Sequence, residues 1–282
     1  MNTSDLQKRQ LSNKKELHLR LSEMKKKSMT DQLKTEGKFT YAEAGEGPAI
    51  IVLHGLMGAL SNFGATFNHF SNNGYHVLIP ELPLYSLPLL KTNVKSMASF
   101  LKDFMEFKKL DKAILLGNSL GGHIGLYFTK HYPEKVSALV LTGSSGLYEK
   151  AMGDSFPKRG NYEYIEKKTK AVFYDPTIAT KELVDDVFKI VNNRSAVIRT
   201  LSIAKSAIRH NMANDLPDMK QPTCLIWGKQ DTVTPPEVAT DFDNLLPDSD
   251  LFWIDKCGHA AMMERPEEFN KILMDWFTAR KI

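Results

Sequence analysis

Cysteine is scarce in this 282-residue chain: only Cys224 and Cys257 are present. Two thiols are too few for a disulfide framework or a thiolate zinc site, so unpaired thiols in a reducing compartment are expected. Long apolar runs are missing too. No stretch approaches the roughly 18 apolar residues of a membrane-crossing helix, so no integral membrane association is expected. The opening MNTSDLQKRQLSNKKELHLRLSEMKKKSM lacks the apolar segment of a secretory signal, which makes a cytoplasmic location the expectation. Charge imbalance is small, at +4, and internal repeats and low-complexity tracts are absent. With 42% hydrophobic and 25% charged residues, the composition is that of an ordinary globular chain.

The little excess charge there is sits at one end. Residues 1–28 carry eight Lys or Arg against three Asp or Glu, which leaves the remainder near neutral, so no nucleic-acid partner is expected. Leu17, Leu21 and Met24 have the spacing of a short amphipathic helix, basic enough to touch acidic lipid or a partner, against the plainer reading of a solvated arm. Residues 1–35 are therefore set apart as a basic extension.

From residue 38 the patterning becomes regular. KFTYAEAG alternates as an exposed strand does, whereas PAIIVLHG, YHVLIPEL, KAILLGNS and VSALVLTGS are short continuous apolar runs typical of buried parallel strands. Between them, Val94, Met97, Ala98, Leu101, Phe104 and Met105 follow a helical rhythm, and residues 120–131 form the next helix. Strand and helix in alternation imply crossover units, hence a parallel sheet with helices on both faces. Residues 147–215 break the order with charged helical stretches such as KELVDDVFKIV and AVIRTLSIAKSAI. It resumes with TCLIWGKQD, a helix near 236–246, DLFWID, and a last helix opened by Pro266, whose apolar stripe includes Phe269, Leu273 and Phe277. The division that follows is a core of residues 36–146 and 216–282 with a helical insertion at 147–215.

In open parallel sheets, chemistry gathers where strands end. Gly117-Asn118-Ser119-Leu120-Gly121-Gly122 matches G-x-S-x-G between a strand and a helix, where small residues permit the sharp turn that exposes a serine. That pattern alone is weak. A serine hydroxyl needs a general base, and the base an orienting acid. His259, in the loop before the Pro266 helix, and Asp231, at the end of TCLIWGKQD, both lie beyond strand ends. A turn aspartate is the plain alternative for Asp231, with Glu237 and Asp241 as other acids. The order Ser119, Asp231, His259 is that of α/β-hydrolases.

On VLHG, GNSLGG, WGKQDTVTP and CGHAAMMERPEEF, in that order, residues 38–280 resemble the α/β-hydrolase fold family. The resemblance implies a mostly parallel eight-stranded sheet, with residues 147–215 as a lid. It also implies that His259 takes the Ser119 proton while Asp231 holds the imidazole. The backbone N–H groups of Leu56, in HGLMG, and Leu120 would form an oxyanion hole, with His54 bracing the loop. No cofactor and no metal are implied.

Within the family, GNSLGG together with SNF is most similar to hydrolases of meta-cleavage products, which cut a carbon–carbon bond beside a carbonyl. That subgroup implies Asn62, Asn118 and Arg194 as substrate-binding residues; Arg194 suits capture of a carboxylate, although a solvated lid arginine is the equal alternative, and Asn118 could equally be a turn former. Departures include Ala260, where the subgroup commonly has tryptophan, and ELPLYSLP after the fourth strand. The resulting expectation is a serine hydrolase cleaving an ester or a carbon–carbon bond next to a carbonyl in a small, largely apolar substrate. An acyltransferase or a noncatalytic ligand receptor are the alternatives. The only partners expected are the small-molecule substrate and, at most, a second copy in a homodimer.

Overall fold

The structure is a computed structural model that describes residues 32–148 and 158–282. The basic arm and its amphipathic spacing lie outside the described residues. Eight strands form one sheet: β1 (Leu33–Glu36), β2 (Phe39–Ala44), β3 (Ala49–Leu53), β4 (His76–Pro80), β5 (Ala113–Asn118), β6 (Val136–Thr142), β7 (Thr223–Gly228) and β8 (Ser249–Ile254). Their spatial order is β1-β2-β4-β3-β5-β6-β7-β8, with β2 antiparallel to both its neighbours and every pair from β4 to β8 parallel.

The first strand corrects the boundary read from sequence, because Leu33–Glu36 belongs to the sheet rather than to an extension ending at residue 35. All four of its residues are exposed. An edge strand with neither face buried carries no alternation to read.

Alternate side chains of the central strands divide between two cores. Ile51, Leu53, Leu115, Leu139, Leu141 and Leu225 point to one face, where they meet α2 (Val94–Phe107), α3 (Leu120–His131) and α7 (Pro236–Leu245). Ile50, Val52, Ile114, Leu116, Val140 and Ile226 point to the other, covered by α1 (Gly64–Ser71) and α8 (Pro266–Arg280). Burial on both faces is why these strands read as unbroken apolar runs. Asn93 caps α2, its side-chain oxygen accepting the Ser96 N–H at 2.9 Å.

Between β6 and β7 the described residues include three α-helices, α4 (Tyr162–Lys170), α5 (Lys181–Asn192) and α6 (Arg194–Arg209). Asn161, Thr180 and Asn193 cap their N-termini through side-chain oxygens. Ile165, Val187 and Val191 form a small apolar cluster of their own, against which Met57 of the loop after β3 packs. The insertion therefore sits on the strand ends. Among the described residues no helix is long and apolar enough to cross a membrane.

Candidate active site

Ser119 is the single residue between the end of β5 and the start of α3, with φ 54° and ψ −122°. A non-glycine residue there costs about 1–3 kcal/mol and persists only where its surroundings hold it. The Ser119 N–H donates to the Thr142 carbonyl at 3.2 Å, and the Ser119 carbonyl accepts from the N–H groups of His123 at 3.2 Å and Ser145 at 3.1 Å. The small residues of the turn serve close approach. A Cβ on Gly121 would stand 1.9 Å from the Leu53 carbonyl oxygen, so α3 rests its first turn directly on the end of β3.

Asp231 and His259 are both buried, in the loops after β7 and β8. Asp231 Oδ1 accepts the N–H groups of Val233 at 2.8 Å and Thr234 at 3.0 Å. Its Oδ2 accepts the Thr234 hydroxyl at 2.8 Å and lies 2.9 Å from His259 Nδ1. An ionised carboxylate only accepts, so Nδ1 carries the imidazole proton and Nε2 is left as the basic nitrogen. Glu237 and Asp241, the other acids considered, are exposed on α7.

Asn118 joins the histidine loop to the serine turn. Buried beside Ser119, it donates through Nδ2 to the carbonyls of Thr142 at 2.9 Å and His259 at 3.1 Å. Both amide donors are thereby committed to backbone, which makes Asn118 a brace between β5, β6 and the His259 loop. Its expected part in holding substrate is left to its oxygen alone.

The His-Gly loop passes alongside. A Cβ on Gly55 would lie 3.3 Å from Ser119 Cβ. His54 is buried, accepts the Leu82 N–H at Nε2 (3.0 Å) and donates from Nδ1 to the Gly55 carbonyl (3.0 Å). Burial lowers its pKa, outweighing the opposing hydrogen bond to Gly55, so it is a neutral brace. The backbone N–H groups of Leu56, in the loop after β3, and Leu120, at the first position of α3, make no hydrogen bond among the described residues. Asn62 lies in the 3-10 turn Leu60–Phe63, its Nδ2 3.3 Å from where a Gly58 Cβ would be, and its side chain makes no hydrogen bond among the described residues.

Arg194 is not brought to this cluster. It is exposed at the first position of α6, with no hydrogen bond or ion pair to the other site residues. At 3.6 residues per turn it shares a face with exposed Ile198 and Leu201, opposite the buried Ala196, Ile203 and Ala207.

Sequence reasoning missed Glu264. Its buried carboxylate accepts the backbone N–H groups of Gly258 at 2.6 Å, Asp175 at 2.5 Å and Tyr174 at 3.3 Å. The same segment of the insertion is held again by the His259 N–H on the Val172 carbonyl (3.0 Å) and the Thr232 hydroxyl on the Ala171 carbonyl (3.2 Å). Residues 171–175 are thus hydrogen-bonded to both the acid loop and the histidine loop. In sequence, Glu264 stands in ERPEEF among charges that read as helix surface; nothing there sets it apart.

The chain is similar to known proteins over most of its length. A sequence model of the alpha/beta hydrolase fold matches residues 48–266. A 2-hydroxy-6-oxo-6-phenylhexa-2,4-dienoate hydrolase of Comamonas testosteroni is 26% identical over 85% of this chain and 91% of its own. A 2-hydroxy-6-oxononadienedioate/2-hydroxy-6-oxononatrienedioate hydrolase of a Pseudomonas species is 28% identical over 86% and 93%. Among solved structures, MGS-MChE2, an alpha/beta hydrolase enzyme from the metagenome of Mar Chica lagoon sediments in Morocco, is 57% identical. It superposes with a TM-score of 0.75 over 89% of this chain and 100% of its own.

Proposed function

The chain belongs to the α/β-hydrolase fold family, and we propose that it is a serine hydrolase that cleaves small, largely apolar carboxylic esters through an acyl-enzyme. The observation that carries the reading is the 2.9 Å contact of His259 Nδ1 with Asp231 Oδ2, in a loop tied to the residue beside Ser119. In this mechanism Ser119 Oγ attacks the ester carbonyl while His259 Nε2 takes its proton. Asp231 keeps the proton on Nδ1 and stabilises the imidazolium that forms. The N–H groups of Leu56 and Leu120 receive the developing oxyanion, a contribution of about 3 kcal/mol per donor in comparable sites. His259 then returns the proton to the leaving alcohol, and a water activated by the same imidazole releases the acid and frees Ser119.

Hydrolysis of a carbon–carbon bond beside a carbonyl is the second reading, favoured by the reactions for which the curated relatives are named. The ester reading comes first because Arg194 is solvent-facing and the Asn118 amide donors are occupied. Turnover of short and long p-nitrophenyl esters compared with a 2-hydroxy-6-oxo-dienoate tests this. A preference for an ester is expected; a preference of about a hundredfold for the dienoate, near 2.7 kcal/mol in the transition state, would replace the first reading by the second.

A further inference from the structure

Helix α6 buries only one side. Ala196, Thr200, Ile203, Ala204 and Ala207 face inward. At about 100° per residue, Arg194, Ile198, Leu201, Lys205, Ile208 and Arg209 fall on a single arc of about 100° on the opposite side. Solvent-facing arcs are ordinarily polar, yet Ile198, Leu201 and Ile208 are 42%, 44% and 59% exposed. Next to this arc, the 3-10 turn Leu89–Lys91 presents Leu89 at 43% and Leu90 at 94% exposure.

The turn and the helix form one surface. Arg199 Nε donates to the Leu87 carbonyl at 2.9 Å, the Ser202 hydroxyl to the Thr92 carbonyl at 3.1 Å, and the Val94 N–H to the Ser206 hydroxyl at 3.2 Å. Between them runs an open groove of about 760 Å³ whose lining includes Leu89, Leu90, Ile198 and Leu201 together with Lys205 and Arg209, and no acidic side chain. The surrounding sequence is equally one-sided: residues 82–102 and 187–214 contain no Asp or Glu, and eight Lys or Arg.

From this we propose that the outer face of α6 and the Leu89–Lys91 turn dock on an anionic phospholipid surface. The aliphatic side chains enter the acyl boundary while Lys91, Lys205 and Arg209 meet lipid phosphates, the division of labour of an interfacial amphipathic segment. Charge decides against a second copy of the chain, since a symmetric contact would set Lys205 and Arg209 near their own counterparts. The docked face is the outside of a helix whose inner residues Ile203 and Ala207 pack into the core cluster shared with α2.

Co-sedimentation of the full chain with vesicles of phosphatidylglycerol and phosphatidylcholine, against phosphatidylcholine alone, tests the proposal. Binding to the anionic vesicles is expected, with at least about a tenfold loss in Leu90→Ser/Leu201→Ser and in Lys205→Glu/Arg209→Glu, each variant melting as the parent does. Since both variants keep the basic arm intact, unchanged binding would assign the attraction to the arm and overturn the proposal, as would no binding by the parent. Light scattering supplies a further check: a dimer that Leu90→Ser/Leu201→Ser dissociates would give the face to self-association instead. None of these readings depends on turnover, so they stand or fall apart from the ester hydrolase assignment.

Discussion

The Glu264 carboxylate lies 2.6 Å from the backbone nitrogen of Gly258, the residue directly before His259, and the same side chain holds Tyr174 and Asp175 of the helical insertion. The base of the proposed triad is thus fixed to the insertion by a buried carboxylate. Glu264→Gln replaces one accepting oxygen with an amide NH₂ facing backbone donors, leaving at least one buried N–H unpaired. A stability loss of about 1–3 kcal/mol is expected. As the His259 loop loosens, kcat should fall about tenfold or more with KM little changed, whereas a purely structural role would lower stability and leave kcat intact. Thermal melts and steady-state kinetics separate the two.

The first turn of α3 supplies a second prediction. Gly121→Ala would drive a methyl group into the Leu53 carbonyl, a backbone atom that cannot swing aside, and a loss of about 3 kcal/mol or more is expected. Gly64→Ala, at φ −56° with nothing within 4 Å of the added carbon, should be neutral or stabilising by up to about 1 kcal/mol. Urea denaturation of the pair measures the contrast.

Glu43 predicts an acid limit. Burial pushes its carboxyl pKa up, but hydrogen bonds from Lys108, Lys34 and His76 outweigh this and bring it from 4.5 down to about 2. A carboxylate with a depressed folded pKa contributes stability that is complete above its unfolded value and lost as pH falls toward the folded one. Glu43→Gln should therefore cost about 1 kcal/mol at neutral pH, after allowance for solvent screening. The gap from the parent should close between pH 4.5 and about 2. Unfolding free energies at pH 7 and pH 3 check the sign.

What was legible in the sequence was whatever burial writes into a pattern. Strands buried on both faces gave continuous apolar runs, the turn around Ser119 advertised itself through its glycines, and Asp231 and His259 followed from their places after strand ends. Exposed β1 writes no pattern that would separate it from the arm before it. Glu264 escaped because its role is to accept backbone N–H groups from segments about 90 residues away in sequence, a function with no spacing signature. The type of Asn118 suits either a substrate contact or a turn, and neither points to its actual partners, the carbonyls of Thr142 and His259 supplied by β6 and the His259 loop.

Helix phase directs exposed Arg194 outward from α6. Arg194→Ala is accordingly expected to leave kcat/KM for ester or dienoate within about twofold; a hundredfold loss on the dienoate alone would return it to the site and favour the carbon–carbon reading.

The central claim is that Ser119 is a nucleophile activated by His259. Incubation with a fluorophosphonate, followed by intact-mass and peptide mass spectrometry, addresses it most directly. The account predicts one covalent adduct, located on Ser119, absent from Ser119→Ala and formed far more slowly in His259→Ala. An unmodified parent chain, or an adduct that persists in Ser119→Ala, would contradict it.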